Sequence, residues 1–211
     1  MNKKEANQIT GGLSKPSKMP GFSYNLPATR CKTGAKLAKV PGSVCHGCYA
    51  LKGRYRFRNV KEAMERRYQA AVGPIAKGKV IQSTQWIFGM VYLIQSSKEK
   101  VFRWHDSGDI QSKEHLKRIF QVCELTPEVR HWLPTREAGI LSTIDAQSVP
   151  DNLIIRLSAT KVDGPAPKSW PWTSTVTTAK ASCPAPQQDN QCKDCRACWD
   201  KEIQNVSYGK H

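Results

Sequence analysis

Apolar and polar positions change rhythm about half-way along the chain. From Lys100 onward, short apolar runs bounded by polar clusters alternate with stretches of helical period. KVFRW (100–104), VRHWL (129–133), NLIIRL (152–157) and STVTTA (174–179) read as strands. Between the first two, QSKEHLKRIFQVCEL places Leu116, Ile119, Phe120 and Cys123 on one helical face, with Ser112 as its cap. A short helix is expected around 137–146. Upstream, RNVKEAMERRYQAAV reads as a helix capped at Asn59 and stopped at Gly73-Pro74, and STQWIFGMVYLIQSS as a buried helix starting at Ser83 or Thr84. Strands alternating with helices predict an α/β fold with a parallel sheet. The organisation expected is a flexible basic arm over 1–20, an α/β domain over 21–180 that opens with a cysteine loop, and a cysteine-rich extension over 181–211.

Each expected strand runs directly into polar residues: His105, Asp106, Ser107 and Asp109; then Thr135, Arg136 and Glu137; then Ser158 and Thr160. In parallel α/β folds the C-terminal strand ends share one rim, and ligands bind there. Arg103, His105, Ser107, Asp109, Arg136 and Ser158 are therefore the candidate catalytic residues. Arg136 suits a carboxylate or a phosphate through its bidentate fork. The competing reading is that these are ordinary caps and loop residues.

Charge adds a second feature. The formal net charge is +16, and residues 1–70 hold 15 Lys and Arg against 3 Asp and Glu. A basic excess gathered in one third of a chain is the footprint of a polyanion partner, nucleic acid or an acidic host protein. No apolar run is long enough to span a bilayer, and MNKKEANQITGG lacks the hydrophobic block of a signal peptide, so a cytoplasmic location without membrane contact is expected. That compartment is reducing, which makes the eight cysteines metal ligands or core residues rather than disulfides.

Cys192, Cys195 and Cys198 stand as C-x2-C-x2-C, with Cys183-Pro184 upstream. Two residues between thiolates let a tight turn aim both sulfurs at one centre. The run resembles the cluster-binding segment of bacterial ferredoxins and points to a [4Fe–4S] cluster, with a four-thiolate zinc site as the alternative. Cys31, Cys45 and Cys48 lie near the other end of the chain, and Cys123 belongs to an apolar helix face. Four thiols can close one site, while three leave the other a ligand short, and an open position is what a reactive metal centre requires. His46 or His105 could supply the missing ligand.

Three cysteines ahead of a run of β/α units resemble the radical S-adenosylmethionine superfamily, some of whose members carry a C-terminal auxiliary cluster. The resemblance implies a partial (βα) barrel with a cysteine-rich loop region at each end. It also implies a [4Fe–4S] cluster on Cys31, Cys45 and Cys48, a second on the C-terminal four, and reductive cleavage of S-adenosylmethionine. Tyr49 and Asp109 are the residues it would place against that cofactor. CHGCYALKGRYRF, FRWHDSGDI, WLPTRE, RLSA and CRACW together resemble a phage-encoded gene product 88 type family over roughly residues 20–200, which implies the host cytoplasm. The alternative function is a non-enzymatic iron–sulfur or zinc protein that binds nucleic acid or a host protein through its basic N-terminal third.

Overall fold

The computed structural model describes residues 1–210. The elements are α1 (Lys3–Thr10), β1 (Phe22–Tyr24), α2 (Thr33–Leu37), α3 (Arg58–Ala71), α4 (Gly73–Ala76), α5 (Val80–Ser96), β2 (Val101–Trp104), α6 (Lys113–Glu124), β3 (Arg130–Thr135), α7 (Ala138–Leu141), β4 (Leu153–Val162), β5 (Thr173–Thr177) and β6 (Asn205–Gly209). The six strands form one sheet in sequence order, with every neighbouring pair parallel. β1 and β6 are its edges, so the sheet stays open and the fold is α/β of partial-barrel type.

Side chains alternate across a strand, and the alternation divides this sheet between two cores. Phe102, Trp104, Leu133, Leu153, Ile155 and Leu157 face the helices and pack with Trp86, Met90 and Ile94 of α5 and Leu116, Ile119 and Cys123 of α6. Val101, Trp132, Ile154 and Val206 face the other way and pack with Cys198 and Trp199. A parallel sheet needs cover on both faces. Here helices cover one, and the cysteine-rich segment covers the other.

Within the first segment, Lys3–Thr10 form a helix. Asn2 and Glu5 form a reciprocal capping box at the start of α1. That helix lies on α5 where Gly89 leaves room: a Cβ at 89 would fall 2.7 Å from Thr10 Cγ2. Beneath it the Tyr24 hydroxyl reaches the carbonyls of Thr10 and Arg67 at 2.6 and 2.9 Å and accepts from Trp86 Nε1 at 3.1 Å.

Other differences are local. β1 is only three residues long and lies in a stretch read as loop, and β6 follows the last cysteines. α5 starts at Val80, which leaves Ser83 buried within the helix. α3 starts at Arg58 after Phe57, and Asn59 Oδ1 accepts from the Val60 amide instead of capping the helix. The helix expected over 137–146 is a single turn, α7, followed by a separate 3-10 turn at Ala146–Ser148. Among the described residues no helix is long and apolar enough to cross a membrane.

Candidate functional site

The loop after β1 carries Cys31, Cys45 and Cys48 and crosses the C-terminal ends of β2, β3 and β4. Specific bonds pin it there. Glu137, just past β3, accepts at Oε1 from the Lys32 and Thr33 amides (3.2 and 2.8 Å) and at Oε2 from the Thr33 hydroxyl (2.7 Å). Lys32 Nζ donates to the Gln111 carbonyl at 2.6 Å. The Val44 amide donates to the Thr160 carbonyl at the end of β4 (2.9 Å), and the Val162 amide to Gly42 (3.0 Å).

These bonds bring Cys31 and Cys45 close to each other. A Cβ on Gly34 would lie 3.6 Å from the sulfurs of both, so the bare backbone of Gly34 leaves the space beside them free. Burial pushes the Cys31 thiol up to about 12, and the charges of Asp109, Cys45, Cys48 and Glu137 push the same way. Burial raises Cys45 too, while the Arg136 guanidinium opposes the rise. Buried thiolates that repel one another need a cation to ionise together. All eight cysteines are free thiols. Among the described residues, no group of three or more His, Cys, Asp or Glu is gathered to hold a metal ion.

The remaining rim candidates separate into distinct roles. Asp109 is buried and already engaged: Oδ1 accepts from the Thr135 hydroxyl (2.6 Å) and the Ile110 amide (2.8 Å), and Oδ2 from the Arg136 amide (2.9 Å). Burial raises its carboxyl to about 6, against the lowering effect of those bonds. Ser107 ties the exits of β1 and β2 together, its hydroxyl donating to Leu26 O (3.0 Å) and its carbonyl accepting from Leu26 N (2.9 Å). His105 turns away from the rim at positive φ, buried against His115 with ring centroids 5.6 Å apart. His46 Nδ1 contacts the Ala38 carbonyl at 3.2 Å. Ser158 pairs with Ser174 through their hydroxyls (2.9 Å). The Arg136 Nε is buried without a hydrogen-bond partner, as are the Arg103 Nε and both ring nitrogens of His105, and the Arg136 charge reaches Cys45.

The C-terminal cysteine segment packs Cys198 and Cys183 against the sheet. Burial raises the Cys192 and Cys198 thiols, and the charge of Cys183 pushes both the same way, as that of Cys195 does for Cys192. Their segment is anchored by backbone bonds from Cys183 N to Ser207 O and from Cys192 N to Lys18 O, each 3.0 Å. Trp199 Nε1 donates to the Phe102 carbonyl at 2.9 Å. Cys198 Sγ lies 3.2 Å from the Tyr208 hydroxyl. Arg103 pairs with Asp106 at 2.8 Å and stacks over Trp132, and its charge acts on Tyr49, Cys192 and Cys198. Tyr49 donates to the Asp106 carbonyl (2.6 Å), and Tyr55 donates to the Asp106 carboxylate.

A protein-family comparison matches residues 1–201 to the model described as gene product 88. The chain belongs to the gene product 88 family. This is the phage family whose resemblance rests on the CHGCYA, HDSGD, LPTRE and CRACW segments. Neither the curated proteins nor the solved structures gave a match. In this member, sequence reasoning missed Gly34, Arg156 and Tyr208 as parts of the two cysteine sites. Gly34 lies three residues after Cys31 and could have been suspected from that closeness. Arg156 and Tyr208 carry no local signal.

Proposed function

We propose that the chain is an iron–sulfur protein in which Cys31, Cys45 and Cys48 hold a [4Fe–4S] cluster at the strand-end rim, where S-adenosylmethionine is cleaved reductively. Cys183, Cys192, Cys195 and Cys198 hold a second, closed site. The observation that carries this reading is the closeness of the Cys31 and Cys45 sulfurs on a loop that also carries Cys48. Asp109 and Glu137, the two nearby carboxylates, spend their oxygens on hydrogen bonds. The donor set suits the group: all-thiolate ligation is what iron–sulfur clusters take, and the absent Cβ at Gly34 keeps the space beside two of the sulfurs clear.

Bound there, a cluster supplies a single electron and an iron with an open coordination position. The chain supplies the rest. Glu137 fixes the loop that carries Cys31, and Asp109 fixes the start of the β3–α7 turn by holding the Thr135 hydroxyl and the Arg136 amide. The unpartnered Arg136 guanidinium then serves as the binding group for a carboxylate next to Cys45, the task its fork geometry fits. Tyr49 follows Cys48 directly and is held by its bond to the Asp106 carbonyl.

Further support comes from topology. The cysteine loop follows the first strand of a sequentially ordered parallel sheet, and ligands of such sheets bind at that end. The test is anaerobic purification followed by iron, sulfide and zinc analysis. Iron with matching sulfide is expected at both sites. Zinc without iron overturns the reading and leaves a zinc-stabilised binding protein.

A further inference from the structure

The loop over the three-cysteine opening also carries an unbalanced charge that the proposed chemistry does not use. Among residues 1–70 the only acids are Glu5, Glu62 and Glu65. Each is committed: Glu5 to the α1 capping box, Glu62 to Arg58, and Glu65 to Arg30. Lys52, Arg54 and Arg56 are exposed and enter none of the four ion pairs found among the described residues. Beside them the flat apolar face of Phe57 stands open to solvent at 59 % exposure, and half-buried Tyr55 lies between the two arginines. This segment adjoins the opening, because Tyr49 and Tyr55 are both bonded to Asp106 at the end of β2.

We infer that the segment from Tyr49 to Arg58 binds single-stranded nucleic acid and presents one nucleotide to the opening beneath it. Alternating cations and rings match a strand whose phosphates are regularly spaced and whose base faces are free to stack. A duplex hides those faces, and an acidic peptide has no use for the rings. This deepens the proposed function by naming its substrate class. The binding itself uses no cysteine, so it is measurable whatever the metal site holds.

The experiment is fluorescence anisotropy on the full chain with a labelled single-stranded oligonucleotide, as DNA and as RNA, against the matching duplexes. With three phosphates neutralised by Lys52, Arg54 and Arg56, affinity should fall roughly 20-fold between about 50 and about 200 mM salt. Arg54→Ala with Arg56→Ala should remove about two thirds of that salt dependence. Phe57→Ala should weaken single-strand binding about tenfold with the salt dependence kept, since stacking is not ionic. Lys117→Ala, on the exposed side of α6, should change nothing, and circular dichroism should show every variant folded. Equal affinity for duplex, indifference to Phe57→Ala, or displacement of the strand by polyglutamate at equal charge would each overturn the inference, the last in favour of an acidic protein partner. Strand binding without iron in the protein would overturn the proposed function alone. Iron and a cofactor response without strand binding would overturn this inference alone.

Discussion

Replacing Arg156 should detach the C-terminal cysteine segment from the sheet. The side chain is fully buried in β4 and takes part in none of the ion pairs among the described residues. Its guanidinium donates instead to six carbonyls. Nε reaches Cys198 at 3.1 Å, Nη2 reaches Ala197 and Asp200 at 2.9 and 2.8 Å, and Nη1 reaches Ile203 at 2.9 Å with Thr173 and Gln204 at 3.3 Å. Five N–H groups serve these acceptors, so at least one hydrogen is shared, in keeping with the two longer contacts. A bond from a charged donor contributes about 1.5 kcal/mol at the low end, so the four short ones together are worth about 6 kcal/mol. Desolvation, which also lowers the pKa of this arginine, takes back part of that. Arg156→Met keeps the length and removes every donor, and it should cost about 3–5 kcal/mol. Arg156→Lys should recover part of the loss, because one ammonium cannot reach six carbonyls. Urea denaturation followed by tryptophan fluorescence gives the total. Native-state hydrogen exchange gives the place: amides of 197–206 should lose protection while those of α6 keep it. A change below about 1 kcal/mol with protection of 197–206 intact would refute the assignment of Arg156 as the anchor.

Two further outcomes are expected. Burial holds the imidazoles of His115 and His131 down to about 4 and about 3. The unfolded chain takes up these protons as pH falls below about 6.5 and the folded chain does not, so their contribution to stability is complete above that value and is lost on acidification toward the folded pKa values. His131→Leu should therefore reduce the slope of unfolding free energy against pH by about 1.4 kcal/mol per unit between about pH 5 and pH 6; an unchanged slope in urea titrations would contradict the buried neutral state. Cys195→Ser should lower bound iron at the C-terminal site and weaken the fold, since metal binding there is also folding energy. Equal iron content and equal urea midpoints in parent and variant would remove Cys195 from the site.

What could be read in the sequence was whatever repeats locally. The short apolar run in NLIIRL and the helical spacing of Leu116, Ile119, Phe120 and Cys123 located β4 and α6. The polar residues after β2 and around the end of β3 do lie at strand ends, whereas Ser158 and Thr160, expected to follow a strand, lie within β4, which continues to Val162. β1 and β6 escaped because FSY and NVSYG are too short to show a period, and only pairing with β2 and β5 makes them strands. α1 escaped because eight polar-rich residues resemble an arm until the Asn2–Glu5 capping box is noticed. Residue type identified Asp109 and Ser107 as chemical candidates, but their hydrogen bonds are to the Thr135, Ile110, Arg136 and Leu26 groups around them, a partner choice set by tertiary structure. The nearness of Arg103 to both Tyr49 and Tyr208 was illegible for the same reason, since those two residues are far apart in the chain.

The central claim is that Cys31, Cys45 and Cys48 form a metal site with one open position. Its most direct test is electron paramagnetic resonance of the reduced, anaerobically purified protein with and without S-adenosylmethionine, in the parent and in Cys48→Ala. The account predicts that the cofactor shifts the parent spectrum and that reductant releases 5′-deoxyadenosine. Cys48→Ala should lose both effects while retaining the signal of the C-terminal site. A parent spectrum indifferent to S-adenosylmethionine, with no nucleoside released, would contradict it.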